Sequence, residues 1–164
     1  MRRAGILLAI AIAAAAAFAW LHHGSDEDAI RDQLTRLAKA LHASEGSNPA
    51  FRAPRVRSEF DAILAETVHV TAAEAPSLPS DRRGLADGAV QLAAYYSSVD
   101  VDFRNVEIKL NDASTMAQVA ATADLASGGE HAKRDARTVS FIFYKQEGTW
   151  RITSATVAPP DGAL

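Results

Sequence analysis

From Val101 onward the apolar residues fall on every second position, and that period limits the fold more than any other feature of the chain. Val106, Ile108 and Leu110 alternate with Asn105, Glu107 and Lys109. Ala117, Val119, Ala121, Ala123 and Leu125 alternate with Gln118, Thr122 and Asp124. Val139, Phe141 and Phe143 face one way, with Ser140, Ile142 and Tyr144 the other. Successive strand side chains point to opposite faces, so each run makes a strand with one dry and one wet face. Ser127-Gly128-Gly129-Glu130-His131 makes a hairpin connection, Glu147-Gly148 a tight turn, and Trp150-Arg151-Ile152-Thr153 opens a last strand. These strands form a meandering antiparallel sheet whose dry face needs a cover.

The cover lies upstream, where the period is helical. Ser25 is an N-cap, with acidic residues in the first turn. Ala29, Ile30, Leu34, Leu37, Ala38 and Leu41 then make one apolar stripe that ends before Gly46-Ser47-Asn48-Pro49. A second helix is predicted over Pro54 to Glu66, with Val56, Phe60, Ile63 and Leu64 inward, followed by a short strand Thr67 to Thr71. Asp81 or Ser80 caps a third helix running to about Ser97, its apolar face made of Leu85, Ala89, Leu92, Ala93 and Tyr96. Gly84 and Gly88 cost this helix roughly 1 kcal/mol each against alanine, so close packing is expected at both. Three helices followed by strands give an α+β layout with the helices on one sheet face.

Ahead of the domain stands an 18-residue run without charge, Ala4 to Leu21, preceded by Arg2 and Arg3 and followed by Asp26, Glu27 and Asp28. As a helix it would measure about 27 Å, close to a bilayer core of about 30 Å. Basic residues before and acidic ones after orient such a segment with its N-terminus in the cytoplasm. Residues 1–23 are therefore expected to be a signal-anchor or a signal peptide. In the first case residues 4–21 hold the chain in the bacterial inner membrane with the domain on the periplasmic side. In the second, cleavage near Ala19, at Ala17-Phe18-Ala19, frees a periplasmic or secreted protein.

Without Arg2 and Arg3 the net charge moves from −3 to −5, which offers nucleic acid no electrostatic attraction. The absence of cysteine excludes disulfides, a thiolate nucleophile and zinc-thiolate sites.

The order helix, helix, short strand, helix, long antiparallel strands resembles the nuclear transport factor 2-like superfamily, also called SnoaL-like or cystatin-like. The segments carrying the resemblance are Glu27 to Leu41, His69-Val70-Thr71 followed by Arg83-Gly84-Leu85-Ala86-Asp87, and Val139 to Ile152 with Gly148 before Trp150. The resemblance spans residues 26–158 and leaves 159–164 as a short tail. It implies an α+β cone, with about three helices closing over a curved, mostly antiparallel sheet around a pocket. Similar domains serve as isomerases, dehydratases, hydrolases, binding modules and accessory domains of envelope proteins, so the fold leaves the activity open.

Proton-transfer chemistry in such a pocket needs a carboxylate base and hydrogen-bond donors converging in apolar surroundings. Asp124, on the wet face of a long strand, is the candidate base. Tyr95 or Tyr96, at the end of the third helix, is the candidate donor, and His69 is the histidine in a regular element near the pocket mouth. Each also has an ordinary structural role. The first helix offers Gln33 and Lys39 where isomerases that the chain resembles use a tyrosine followed by an aspartate. No cofactor is implied, and no metal, since His22, His23, His42, His69 and His131 are scattered and Asp100-Val101-Asp102 reads as a solvated turn. The basic cluster Arg52, Arg55 and Arg57 is expected to solvate a helix start, with lipid headgroups as the other partner in view.

The expectation is an exported, membrane-anchored, non-catalytic domain that binds a small apolar ligand or a protein partner in the envelope, with a homodimer through the open sheet face as one form. The alternatives are a small-molecule isomerase, dehydratase or hydrolase using a pocket carboxylate, and a structural accessory domain of an envelope complex.

Overall fold

A computed structural model of the chain describes residues 25–75, 78–130 and 132–160. The apolar run Ala4 to Leu21 lies outside these residues, and no helix within them is long and apolar enough to cross a membrane. Helix α1 (Asp26–Leu41) begins at a capping box, in which Ser25 accepts from the Asp28 N–H and Asp28 accepts from the Ser25 N–H. Its stripe of Ile30, Leu34 and Leu37 is buried.

Helix α2 (Pro49–Ile63) starts one turn and more before the expected Pro54. Asn48 caps it and Pro49 takes the first turn, where a missing N–H costs nothing; Pro54 sits inside. The helix ends at Ile63 rather than Glu66 because Leu64 already pairs with Ile152, so strand β1 (Leu64–Ala72) is longer than the sequence pattern suggests.

Helix α3 (Arg82–Tyr95) is capped by Asp81, whose Oδ1 accepts from the Gly84 N–H at 2.8 Å. It buries Ala86 and packs Leu85, Ala89 and Val90 on the core, whereas Leu92, expected inward, is exposed. Of its two glycines only Gly84 is crowded: a Cβ there would meet the Pro79 Cβ at 2.6 Å, while at Gly88 it would meet nothing within 4 Å.

Strands β2 (Val99–Leu110), β3 (Met116–Ser127), β4 (Lys133–Gln146) and β5 (Thr149–Ala158) complete a five-stranded sheet in the order β1-β5-β4-β3-β2. β1 runs parallel to β5 and every other pair is antiparallel, as a mostly antiparallel cone requires. A bulge between Arg104 and Glu107, with Asn105 at φ 53°, shifts the register of β2. Before it the odd residues Val101 and Phe103 turn toward the helices; after it the even residues Ile108 and Leu110 do. Glu147 and Gly148 both have positive φ, as a two-residue hairpin demands.

One core fills the space between the layers. Trp150, Phe143 and Ile152 from the sheet meet Ile30, Val56 and Ile63 from the helices, all fully buried. At the start of α1 the Trp150 Nε1–H and the Lys145 ammonium donate to Asp26 at 2.9 and 2.6 Å. These bonds pin the first residues of the domain to the β4–β5 hairpin and hold the Asp26 carboxyl below the usual carboxylate range. Lys145 contributes most and Trp150 next, against a smaller opposing effect of burial.

Candidate functional site

Alternation along β3 decides where Asp124 goes. Ala123 is buried in the core, so Asp124 turns away from the helices, level with Asp102 on β2 and Ala136 on β4. Its carboxylate is paired with the Arg104 guanidinium diagonally across the strands. With Asp100, Asp102 and Arg134 it lines an open groove of about 540 Å³ on the outer sheet face. Asp100 and Asp102 therefore lie in a strand, two residues apart on one face, and not in the expected turn; Asp100 Oδ1 accepts from His42 Nδ1–H at 3.0 Å. Among the described residues no three potential metal ligands gather.

His69 stands on β1, the edge strand, outward and exposed beside Ser154. Two strands separate β1 from β3, which puts His69 about 14 Å from the line of Asp124. Tyr95 and Tyr96 belong to the opposite layer, at the end of α3, with their rings edge to face at 5.0 Å. Tyr96 borders a groove of about 270 Å³ between α3 and the α1–α2 connection. The fold thus gathers neither tyrosine with Asp124, and His69 with none of them. A base and its donors must reach one substrate atom, and these groups lie on two sides of a sheet.

A charged cluster on the inner face is absent from the sequence-based expectations. Lys133, Asp135 and Arg137 alternate along β4 on the side that Ala123 and Leu125 of β3 share. Arg137 donates to Asp135 from Nε and Nη2 at 3.1 and 2.7 Å and to Glu74 from Nη1 at 2.6 Å. The bond to Arg137 holds the Asp135 carboxyl below its ordinary range, helped by Lys133 and opposed by desolvation. The same bond raises Arg137. Every charge in the cluster is matched, so it ties the end of β1 to β4 at the cone mouth. Its signal is present as period-two charge in Lys133-Arg134-Asp135-Ala136-Arg137, but charge on a dry face looks like a break in the strand.

The basic cluster divides three ways. Arg52 turns inward and donates to the carbonyls of Leu41 at 2.8 Å, Ala40 at 3.5 Å and Ala89 at 3.4 Å, which staples α2 to the other two helices. Arg57 pairs with Asp87 at 2.7 Å. Arg55 alone of the three is left in solvent, but on the second turn of α2 rather than at the expected helix start, beside Lys39.

No protein-family model matches the chain. No curated protein sequence matches it either. Solved structures do. A nuclear transport factor 2-like protein with a cystatin-like fold from Novosphingobium aromaticivorans superposes with a TM-score of 0.65 at 12% identity, over 92% of this chain and 90% of that one. A protein of unknown function with a cystatin-like fold from Nostoc punctiforme gives 0.62 at 14% identity, over 84% and 92%. A candidate dehydratase of the nuclear transport factor 2-like family from Streptomyces avermitilis gives 0.63 at 15% identity, over 82% and 97%. At these identities the likeness is one of fold: the chain has the cystatin-like α+β architecture, three helices on a curved, open five-stranded sheet.

Proposed function

We propose that the chain is an exported binding domain, held in the bacterial inner membrane by residues 4–21, whose uncovered sheet face pairs with a second copy of itself. One observation carries the pairing. The helices pack on the inner face of the sheet, and among the described residues the outer face stands open across all five strands. Its centre is built of small side chains, Ala120, Thr122, Thr138, Ser140, Ser154 and Thr156, with Ile142 and Tyr144 adding apolar surface. Five strands about 4.8 Å apart and about ten residues long make a face of roughly 800 Å², which is what a standard interface takes from each partner. An isologous contact is self-complementary, and Asp100, Asp102 and Asp124 share this face with Arg104 and Arg134. A two-fold axis along the strands leaves both copies of Ser25 at the hairpin end, as two anchors in one membrane require.

The packing of the sheet's inner face against the helices favours a protein partner on the outer face over a small apolar ligand inside the cone. Chemistry of the kind the candidate dehydratase's name suggests would need Asp124 and a tyrosine in one cavity, and they are parted by the sheet.

Light scattering on the full chain in mild detergent tests the pairing. A protein mass of two copies is expected, with Thr122→Arg and Ser140→Arg reducing it to one copy that still melts in one cooperative transition. A single copy of the unaltered chain at every concentration overturns it. A mass equal to one copy plus a different protein, on purification from the envelope, would make the chain an accessory domain. Intact mass retaining residues 1–23 supports the anchor, whereas a start at Trp20 shows a cleaved signal.

A further inference from the structure

The α1–α2 junction makes a second feature, at the opposite end of α1 from the pinned Asp26. α1 has 16 residues, so its last turn stands about 24 Å from Ser25. There a groove of about 390 Å³ opens between the end of α1 and the start of α2, lined by Lys39, His42, Ser44, Ser47, Phe51 and Arg55 among others, with no carboxylate in its wall. That composition is unusual on a chain with 20 acidic residues against 17 basic ones.

Within the described residues neither Lys39 nor Arg55 makes an ion pair or hydrogen bond, whereas Arg36 and Arg57 on the same helices are both paired. His42 is engaged by Asp100, outside the wall. The floor is Arg52, held by three carbonyls, with its Nε–H buried and without a partner. At the rim the Ser47 hydroxyl donates to the Ser44 carbonyl at 2.6 Å and lies 3.0 Å from the Ser44 hydroxyl, which keeps its own proton to donate. Beside these donors the Phe51 ring is 83% exposed, a large apolar surface left in water.

The backbone at the start of α2 adds no free donors, because Pro49 has none, Ala50 donates to Asn48 Oδ1, and Phe51 and Arg52 donate to the Asn48 carbonyl. The groove's polar character therefore comes from side chains: a fixed guanidinium charge at the floor and unpaired cations on both walls, with one aromatic ring beside them.

We propose that this groove binds an organic anion, a phosphate or carboxylate carrying an aromatic or aliphatic group. Lys39 and Arg55 take the charge, the Ser44 hydroxyl adds a hydrogen bond, and Phe51 covers the apolar part. The site lies outside the cone and is independent of the sheet-face pairing.

The probe is phenyl phosphate, titrated calorimetrically into the full chain in phosphatidylcholine nanodiscs, with inorganic phosphate for comparison. Saturable binding is expected, at least tenfold tighter for phenyl phosphate than for inorganic phosphate. Lys39→Gln with Arg55→Gln should weaken both at least tenfold. Phe51→Ala should weaken phenyl phosphate alone, and Arg83→Gln, a cation on the outside of α3, neither. All four positions are at the surface, and a melting curve for each variant separates lost binding from lost fold. Equal binding in phosphatidylglycerol nanodiscs assigns the groove to free anions, and its loss there assigns it to lipid headgroups that compete for it. Absence of saturable binding to either probe in phosphatidylcholine nanodiscs, or binding unchanged in the double variant, overturns the proposal.

Discussion

The two faces of the sheet are cut from the same strands and have opposite fates. On the inner face Ala117, Val119, Ala121 and Ala123 of β3 and Val139, Phe141 and Phe143 of β4 are all buried against helices. One residue away on each strand, Gln118, Ala120, Ser140 and Tyr144 are exposed. The inner face is closed by helices that the chain itself supplies. The outer face has the regularity of an interface, and nothing among the described residues covers it. Stability therefore belongs to one face, and the capacity to associate to the other.

Substitutions on adjacent residues can break that contrast. Phe143→Ala empties a fully buried site and is expected to cost about 3–5 kcal/mol in urea denaturation at a dilution that separates the copies, whereas Tyr144→Ala should there cost roughly 0.5 kcal/mol or less. Comparable losses at both positions would mean that the outer face is also part of the core. A second pair sharpens the contrast within α3. Gly84→Ala drives a methyl into Pro79 and should destabilise by about 1–3 kcal/mol, while Gly88→Ala, in open space, should stabilise by about 0.5–1 kcal/mol. The two melting temperatures must move in opposite directions.

Asp26 tests the closed end of the inner face. Its folded pKa is depressed, so its contribution is present above 3.8, the ordinary value, and is lost as pH falls through the lowered folded value. Asp26→Asn should cost about 1 kcal/mol near neutral pH, little because the site is partly wet, and should flatten the fall in stability between about pH 5 and pH 2. An unchanged pH profile would show that the bonds to Lys145 and Trp150 add nothing.

Much of the fold is legible because period and burial are the same fact seen twice. Val139, Phe141 and Phe143 alternate in the sequence and are all buried, and Ser25 with Asp28 forms the cap that its spacing allows. The bulge at Asn105 is harder to read, since two short alternating runs of opposite parity look like two separate patterns. The start of α2 was hidden by Pro54, which resembles a first-turn proline although Pro49 holds that place. Site residues are less legible still. Asp124 meets Arg104, and Arg137 meets Glu74, only through strand register and a connection 63 residues long in sequence, neither of which one chain's composition displays. Leu92 continues the helical stripe of α3 yet faces water because the core beneath that turn has ended.

The central claim is that the outer sheet face is an interface between two copies. The chain contains no cysteine, so Ser140→Cys places a single thiol at the middle of β4, the central strand. Spin labels there, measured by pulsed dipolar spectroscopy on the full chain in detergent, should report one narrow distance below about 30 Å, as labels on two sheets packed roughly 10 Å apart require. The same label at Ser58→Cys, on the exposed side of α2, should report a much longer distance. No dipolar coupling at Ser140→Cys in a sample that scatters light as two copies would contradict the claim and place the contact elsewhere.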